Sequence, residues 1–505
     1  MTREKAFARL EEIDREVVML EHMSSVLSWD QEMGLPSKGL TERSIQMGWL
    51  SSQAHEMTCS NEMGDLLATL GSDKQNPEGT AEDPFEKALI RLRFRYWDKH
   101  RSMPVSLIKA ISEKSSQSHE SWVEARRQND WNLFKGDLQE IIALVREKES
   151  CYRRDGFSGY DVLLDDFEVG VKSSEVQALF SAIRPSLVSL VDSLSEKSVD
   201  DAFLRLDYPV LQQEEFSRIV LKDMGFDFNR GRRSVSVHPF TSTLGSDDIR
   251  ITTRYTDPSV LDSFSSTIHE GGHALYEMGM NSGRQKGSSV ANAASFGMHE
   301  SQSRLWENMV AKSEGFWAHY YPLFCKFFPT QTRGVSLSKF LQAANKVQRS
   351  LIRVNADEVS YSLHVMLRFD LEQDLLFGNL RVDDLPEAWN AKSKDLLGVV
   401  PKTYVQGVLQ DVHWSSGDFG YFPTYALGNL YGAQIWQRLN QDLDVDSLLQ
   451  EGKLDELHHY LNERIYTKGS LLLPGDLLVK ATGKPLDAKL FTSYLEDKFS
   501  RLFGY

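Results

Sequence analysis

Apolar residues recur at three- and four-residue spacing along most of this chain. That rhythm constrains the fold more than any other feature. "AFARLEEIDREVVMLEHMSSVLSW" near the start, "EVQALFSAIRPSLVSLVDSL" from Glu175, "NMVAKSEGFWAHYYPLFCKFF" from Asn308 and "DELHHYLNERIY" from Asp455 all read as amphipathic helices. Strand signal is confined to one region. "DIRITTRY" (residues 248–255) alternates and is rich in β-branched residues, and the preceding "RRSVSVHPF" (232–240) can pair with it. No fixed-period repeat is present. The stretch "LGSDKQNPEGTAEDPFE" (70–86) is loop-like, but helical patterns resume at once, so it reads as a surface loop and not a linker. The expectation is a mainly α protein, one unit over residues 1–505, with one small β-sheet near its middle.

A formal net charge of −15 over 505 residues argues against binding to nucleic acid or to an anionic membrane. No run of 18 or more apolar residues predicts a transmembrane helix, and the charged first twenty residues lack the apolar core of a signal peptide. Cys59, Cys151 and Cys325 lie far apart and form neither a CxxC pair nor a disulfide framework. A reduced, cytoplasmic setting is expected.

The small sheet leads directly into "TIHEGGHALYE" (267–277). Asp257 and Pro258 look like an N-cap followed by proline at the first helical position, so the spacing predicts a helix from about Pro258 to about Met278. Its buried stripe would be Leu261, Phe264, Ile268 and Leu275. His269 and His273 then lie about 40° apart around the axis and one turn apart along it. Two imidazoles so placed can bind one cation, and Glu270, displaced by about 100°, can reach a water on it without ligating. A third ligand is needed. The metzincin extension is excluded, because Tyr276 and Gly279 stand where its glycine and histidine belong. "GMHESQSRLWENMV" offers Glu300 and Glu307, seven apart on one helical face, and Glu300, nearer the helix start, is the preferred ligand. Each glycine inside a helix costs about 1 kcal/mol relative to alanine. Gly271 and Gly272 are therefore expected to admit a close backbone, either the Glu300 helix or a substrate.

These residues resemble the carboxypeptidase Taq family of metallocarboxypeptidases. The shared motifs are "HPF" at 238–240, "DIRIT" at 248–252, "HEGGH" at 269–273, "HESQSR" at 299–304, "IRVNADE" at 352–358 and "GVLQDVHW" at 407–414. "WDQEMGLP" (29–36), "FGYFPTYALGN" (419–429) and "ATGKPLD" near the C-terminus fit as well, so the resemblance runs along nearly the whole chain. It implies a helical, zincin-like unit related to the helical oligopeptidases, with a deep groove between two lobes and a homodimeric assembly. It implies release of single residues from peptide C-termini, with broad preference and proline disfavoured. His269, His273 and Glu300 match the family's ligands to one divalent ion per subunit, zinc or in some members cobalt, and Glu270 matches its catalytic glutamate. Gly271 is a departure, because many relatives carry a larger residue there. Arg304 stands where an acid orients the metal site in many other glutamate-zincins, so that acid must come from elsewhere, Asp357 or Glu358.

His413 and Tyr425 are carried over as oxyanion donors, with Tyr421 the alternative to Tyr425. Arg353 is the leading candidate to pair both oxygens of a C-terminal carboxylate, and the competing reading is a structural ion pair with Asp357. Arg250 is the second candidate, although its place on the strand suits sheet-edge support. Asp248 and Thr252 would hold that strand beside the substrate backbone, with His238 and His299 as further donors around the site. Rival readings are an endo-acting oligopeptidase, and a peptide-binding scaffold without chemistry. An aminopeptidase is disfavoured because no GxMEN motif is present.

Overall fold

The computed structural model describes residues 1–255 and 259–504. The protein is largely helical with one three-stranded sheet, as the periodicity predicts. The predicted loop falls between a helix ending at Thr69 and one starting at Pro84, where Asp83 caps the second helix by accepting from the backbone of Phe85 and Glu86.

Two hydrophobic cores form. The smaller joins helices Arg3–Gly34, Asn61–Thr69 and Pro84–Arg101 through Leu10, Ile13, Met63, Leu66, Phe85 and Leu89. A buried ion pair, Arg93 Nε to Asp14 at 2.5 Å, crosses it, and the other Asp14 oxygen accepts from the backbone of Ser289. Helix Leu40–Thr58 packs against this smaller core through Ala54 and Met57, and the larger core gathers helices from the rest of the chain, with Trp306, Trp317, Tyr320 and Phe324 among its fully buried side chains.

The sheet has the order β1-β3-β2. β1 (Gly231–Val235) runs parallel to β3 (Asp248–Thr253), with Gly231 opposite Ile249. β2 (Thr241–Gly245) runs antiparallel on the other side, with Thr241 opposite Ile251. The pairing of 232–240 with 248–255 is thus present, and β2 is an element the sequence pattern did not announce. The central strand buries Ile249, Ile251, Thr252 and Thr253. Thr253 Oγ1 donates to the carbonyl of Ser263 and meets Thr267 Oγ1 at 3.0 Å, which fastens the sheet to the HEGGH helix.

That helix spans Val260–Met280, with Ser259 as N-cap and Asp262 completing a capping box. Asp257 and Pro258, the expected start, lie outside the described residues. Phe264, Ile268 and Leu275 are buried as predicted, but so are Thr267, Ala274, Tyr276, Gly279 and Met280. The helix is packed on nearly all sides, so the apolar stripe accounts for only part of its burial.

Candidate active site

The HEGGH helix is crossed by a short helix, Phe296–Arg304, which carries "HESQSR". A Cβ on Gly272 would lie 2.8 Å from the Gln302 carbonyl oxygen and 2.8 Å from Ser303 Cα. The missing side chain is what lets the two backbones approach. A Cβ on Gly271 would instead meet side chains of the neighbouring helix Val210–Asp223 and the residue after it: Leu221 Cδ2 at 2.6 Å and Met224 Cε at 3.4 Å. On the far side of Glu300, helix Phe422–Asp442 approaches through Gly428, where a Cβ would stand 2.6 Å from Glu300 Cγ. Glu300 is therefore clamped between two backbones.

The crossing brings one donor atom each from His269, His273 and Glu300 within 4.8 Å of one another. Glu300 Oε2 lies 3.6 Å from His269 Nε2 and 3.4 Å from His273 Nε2. A tetrahedral ion with bonds of about 2.05 Å spaces its ligand atoms about 3.3 Å apart, so these donors fit a metal such as zinc. The electrostatics agree. Glu300 and Glu307 share one guanidinium, Arg304, which bonds Glu300 Oε1 at 2.7 Å and Glu307 Oε2 at 3.3 Å, and Glu270 adds a third buried carboxyl group beside His269. A divalent cation balances that cluster. Burial and the neighbouring His299 push His273 down to about 3, leaving its lone pair free for a cation. Burial opposes the charge of Glu300, but Arg304 and the histidines hold it well below the ordinary carboxyl range.

Glu270 is buried, and burial raises it above an ordinary carboxyl. Thr241 Oγ1, from β2, donates to Glu270 Oε2 at 2.6 Å and fixes its direction. The acid that orients His269 is Glu307, whose Oε2 lies 2.9 Å from Nδ1. Glu307 reaches it because the helix after Arg304 widens into a π turn, Leu305–Val310, with the Ala311 N–H bonding the Trp306 carbonyl. Asp357 and Glu358, the acids expected in that role, are occupied elsewhere. Asp357 accepts from Gln348, Val359 and Ser360 at a helix start, and Glu358 pairs with Lys498.

The family description "Carboxypeptidase Taq (M32) metallopeptidase" matches residues 9–499. The chain belongs to this family. Thermostable carboxypeptidase 1 of Thermus thermophilus is 37% identical over 517 aligned residues, covering all of both chains. Carboxypeptidase 1 of Bacillus subtilis is 34% identical over 95% of each chain. The solved M32 carboxypeptidase of Deinococcus radiodurans R1 is 33% identical and superposes with a TM-score of 0.94 over 99% of this chain and 100% of that one. As a member of the carboxypeptidase Taq family the protein is a metallocarboxypeptidase, a metal-dependent hydrolase of peptides. Among the described residues no helix is long and apolar enough to cross a membrane.

The remaining predicted residues fall into two groups. His413, Tyr425, Tyr421 and Arg353 converge. His413 Nε2 lies 3.3 Å from Tyr425 OH, the Tyr421 and Tyr425 ring centroids are 5.1 Å apart, and the Arg353 guanidinium sits 4.8 Å over the Tyr425 ring. Burial pushes His413 down to about 4 and Tyr421 up to about 12, so both remain neutral donors near pH 7. Arg353 is 5% exposed and bonds Asp411, not Asp357: Nε and Nη2 meet Asp411 Oδ1 at 3.0 and 2.8 Å, and Nη1 meets Tyr361 OH at 3.0 Å. Residues 353–355 form a 3₁₀ turn, so the four-residue spacing that would join Arg353 to Asp357 on an α-helix does not apply. Arg368, fully buried, bonds the other Asp411 oxygen at 2.6 Å. Two guanidinium groups thus share one carboxylate.

The second group lies on the HESQSR helix and in the sheet region. His299 stacks on the His273 ring at 4.2 Å and its Nε2 meets Glu277 Oε1 at 2.8 Å. Arg250 and Asp248 form a bidentate pair on β3 at 2.8 and 2.7 Å, with the guanidinium 5.4 Å over Trp29. His238 is exposed, and its carbonyl accepts from Ser236. Thr241, Asp411 and Arg368 belong to the site but were not singled out from sequence. Asp411 lies within "GVLQDVHW", so its motif was visible while its role was not.

Proposed function

We propose that the protein removes single amino acids from the C-terminus of short peptides, with broad preference and C-terminal proline disfavoured. His269, His273 and Glu300 hold one divalent ion. Zinc suits this donor set best, and cobalt can replace it. These residues would hold an ion that, when bound, would supply Lewis acidity for peptide hydrolysis. Glu270 takes a proton from the attacking water and returns it to the leaving amine, with Thr241 keeping the carboxylate aimed. The oxyanion receives hydrogen bonds from Tyr425, supported by His413, with Tyr421 the alternative donor.

The observation that carries the exo-acting reading is the charge around Arg353. Arg353 and Arg368 share the single carboxylate of Asp411 in a buried setting beside Tyr425, so the positive charge is undercompensated. A substrate carboxylate completes the balance, and the planar guanidinium suits both of its oxygens. Arg250 pairs with Asp248 on the central strand, whose two edges are taken by β1 and β2, so main-chain pairing of a substrate with that strand is not part of the reading. His299 supports the site by stacking on the His273 ring, with its Nε2 held by Glu277 Oε1. A homodimer is proposed on the resemblance alone. A cytoplasmic setting is proposed on three cysteines that are all free.

Mass spectrometry of products from one peptide, free and amidated at its C-terminus, tests the reading. The free peptide should yield a C-terminal ladder with wild type and none with Glu270→Gln. Arg353→Ala should weaken laddering sharply. Equal cleavage of the amidated peptide would overturn it in favour of an oligopeptidase.

A further inference from the structure

The last helix, Lys489–Phe503, lies 190 residues along the chain from the π turn, yet it inserts a charge beside it. Lys498 is 7% exposed, and its Nζ has three acceptors. It donates to the Asn308 carbonyl at 3.0 Å, to Glu358 Oε2 at 2.6 Å and to Tyr494 OH at 3.2 Å. Tyr494 OH in turn donates to the same Asn308 carbonyl at 3.4 Å. Asn308 stands in the middle of the π turn, one residue after Glu307, and the helix stops two residues later. Carbonyls in the last turn of a helix have no intrahelical partner, and a cation near them is favourable. Burying an ammonium costs several kcal/mol unless its donors are met, so this one is built into the fold for a specific contact. It anchors the turn at the Asn308 carbonyl, while Glu307, one residue earlier on that turn, holds His269 Nδ1 at 2.9 Å.

We propose that Lys498 is a positioning residue for the metal centre. It fixes the π turn that carries Glu307, and Glu307 orients the His269 ring, so the C-terminal helix sets metal affinity without approaching the ion. The inference rests on the reading that His269, His273 and Glu300 hold that ion. Groups that orient a metal ligand, as Glu307 does, typically change affinity 10- to 100-fold when lost, and that range bounds the effect of Lys498, one contact further out.

The test is the zinc dissociation constant, read by competition with a chromophoric chelator, alongside the melting temperature of the metal-free protein. Lys498→Met should raise the constant about tenfold or more, and Lys498→Arg should recover part of the loss. The decisive arm is a double-mutant cycle with Glu307→Ala. If Lys498 acts through Glu307, adding Lys498→Met to Glu307→Ala should change the constant less than twofold further. Should Lys498→Met not fold, Tyr494→Phe enters the same cycle, with a rise of about threefold expected on the wild-type background and none on Glu307→Ala. A lower melting temperature with an unchanged zinc constant, or full additivity with Glu307→Ala, would overturn the proposal. His269→Ala separates the two levels. If it leaves zinc binding tight, the ligand assignment has failed. If it abolishes binding while the Lys498 and Tyr494 variants bind as wild type, only the positioning role has failed.

Discussion

The two adjacent glycines of "HEGGH" should respond very differently to the same change. In Gly272→Ala the new methyl would lie 2.8 Å from backbone atoms of Gln302 and Ser303, which cannot rotate away. Restoring an ordinary 3.4 Å contact separates the two helices by about 0.6 Å. Overpacking costs about 1–3 kcal/mol, and alanine returns about 1 kcal/mol of helix propensity. The net loss of stability is then about 0–2 kcal/mol. The separation falls between His269 and His273 on one helix and Glu300 on the other, and metal distances tolerate only about 0.2 Å. Zinc affinity should therefore drop at least about tenfold, or 1.4 kcal/mol. In Gly271→Ala the methyl meets the tip of Leu221, a flexible side chain on a different helix. Stability should change by less than about 1 kcal/mol, with zinc affinity kept within about twofold. Chelator competition gives the dissociation constants, and melting of the metal-free proteins gives the stabilities. If Gly272→Ala binds zinc as tightly as wild type, or if the two variants lose affinity equally, the close-approach account is wrong.

Thr241→Val removes the hydroxyl that aims Glu270 and should lower kcat about tenfold with KM little changed. A kcat within twofold of wild type would exclude that role. Burial raises Glu372 to about 7, against the hydrogen bonds it accepts from Tyr160, Gly420 and Trp414. Between its ordinary 4.5 and about 7 the folded state keeps a proton that the unfolded state has released. Stability should thus fall by about 3 kcal/mol as pH rises through that window, and the contribution is flat above it. Denaturation midpoints of Glu372→Gln between pH 5 and 7 should lose this slope, and an unchanged slope would refute the assignment. Removing metal with a chelator should abolish hydrolysis and lower the melting temperature. Restoring free zinc to 100 times its dissociation constant should return about 2.7 kcal/mol. A melting temperature indifferent to zinc would contradict binding to the folded state.

The helical fold and the two-histidine face were legible because both rest on local spacing, and local spacing survives folding. The closeness of Gly272 to a second backbone was legible for a related reason, since a glycine pair in a helix interior needs an external cause. What stayed hidden depends on departures from regular winding or on partners distant in sequence. β2 reads "TSTLG", a stretch too short and with too few apolar residues to show an alternation, and it is held by pairing to β3. Glu307 was visible as a spare carboxylate, but on an unbroken α-helix its seven-residue spacing suggested a duplicate of Glu300. The π turn gives it a different task. Asp411, 58 residues beyond Arg353, could not be found from helical spacing.

The turn at Leu305–Val310 also fixes how many residues this part of the chain must contain. Its bonds close over five residues where an α-helix closes over four, so it stores one residue that straight winding would not hold. Deleting one of the six would let the rod straighten with its flanks near their present register, because the wider winding spends one extra residue on nearly the same rotation; what is lost is the bulge itself. Substitutions here can be graded, but a one-codon deletion cannot. Taken at any position but Glu307 itself, it would remove the winding that aims this carboxylate at the His269 imidazole while leaving every named residue of the centre in the sequence.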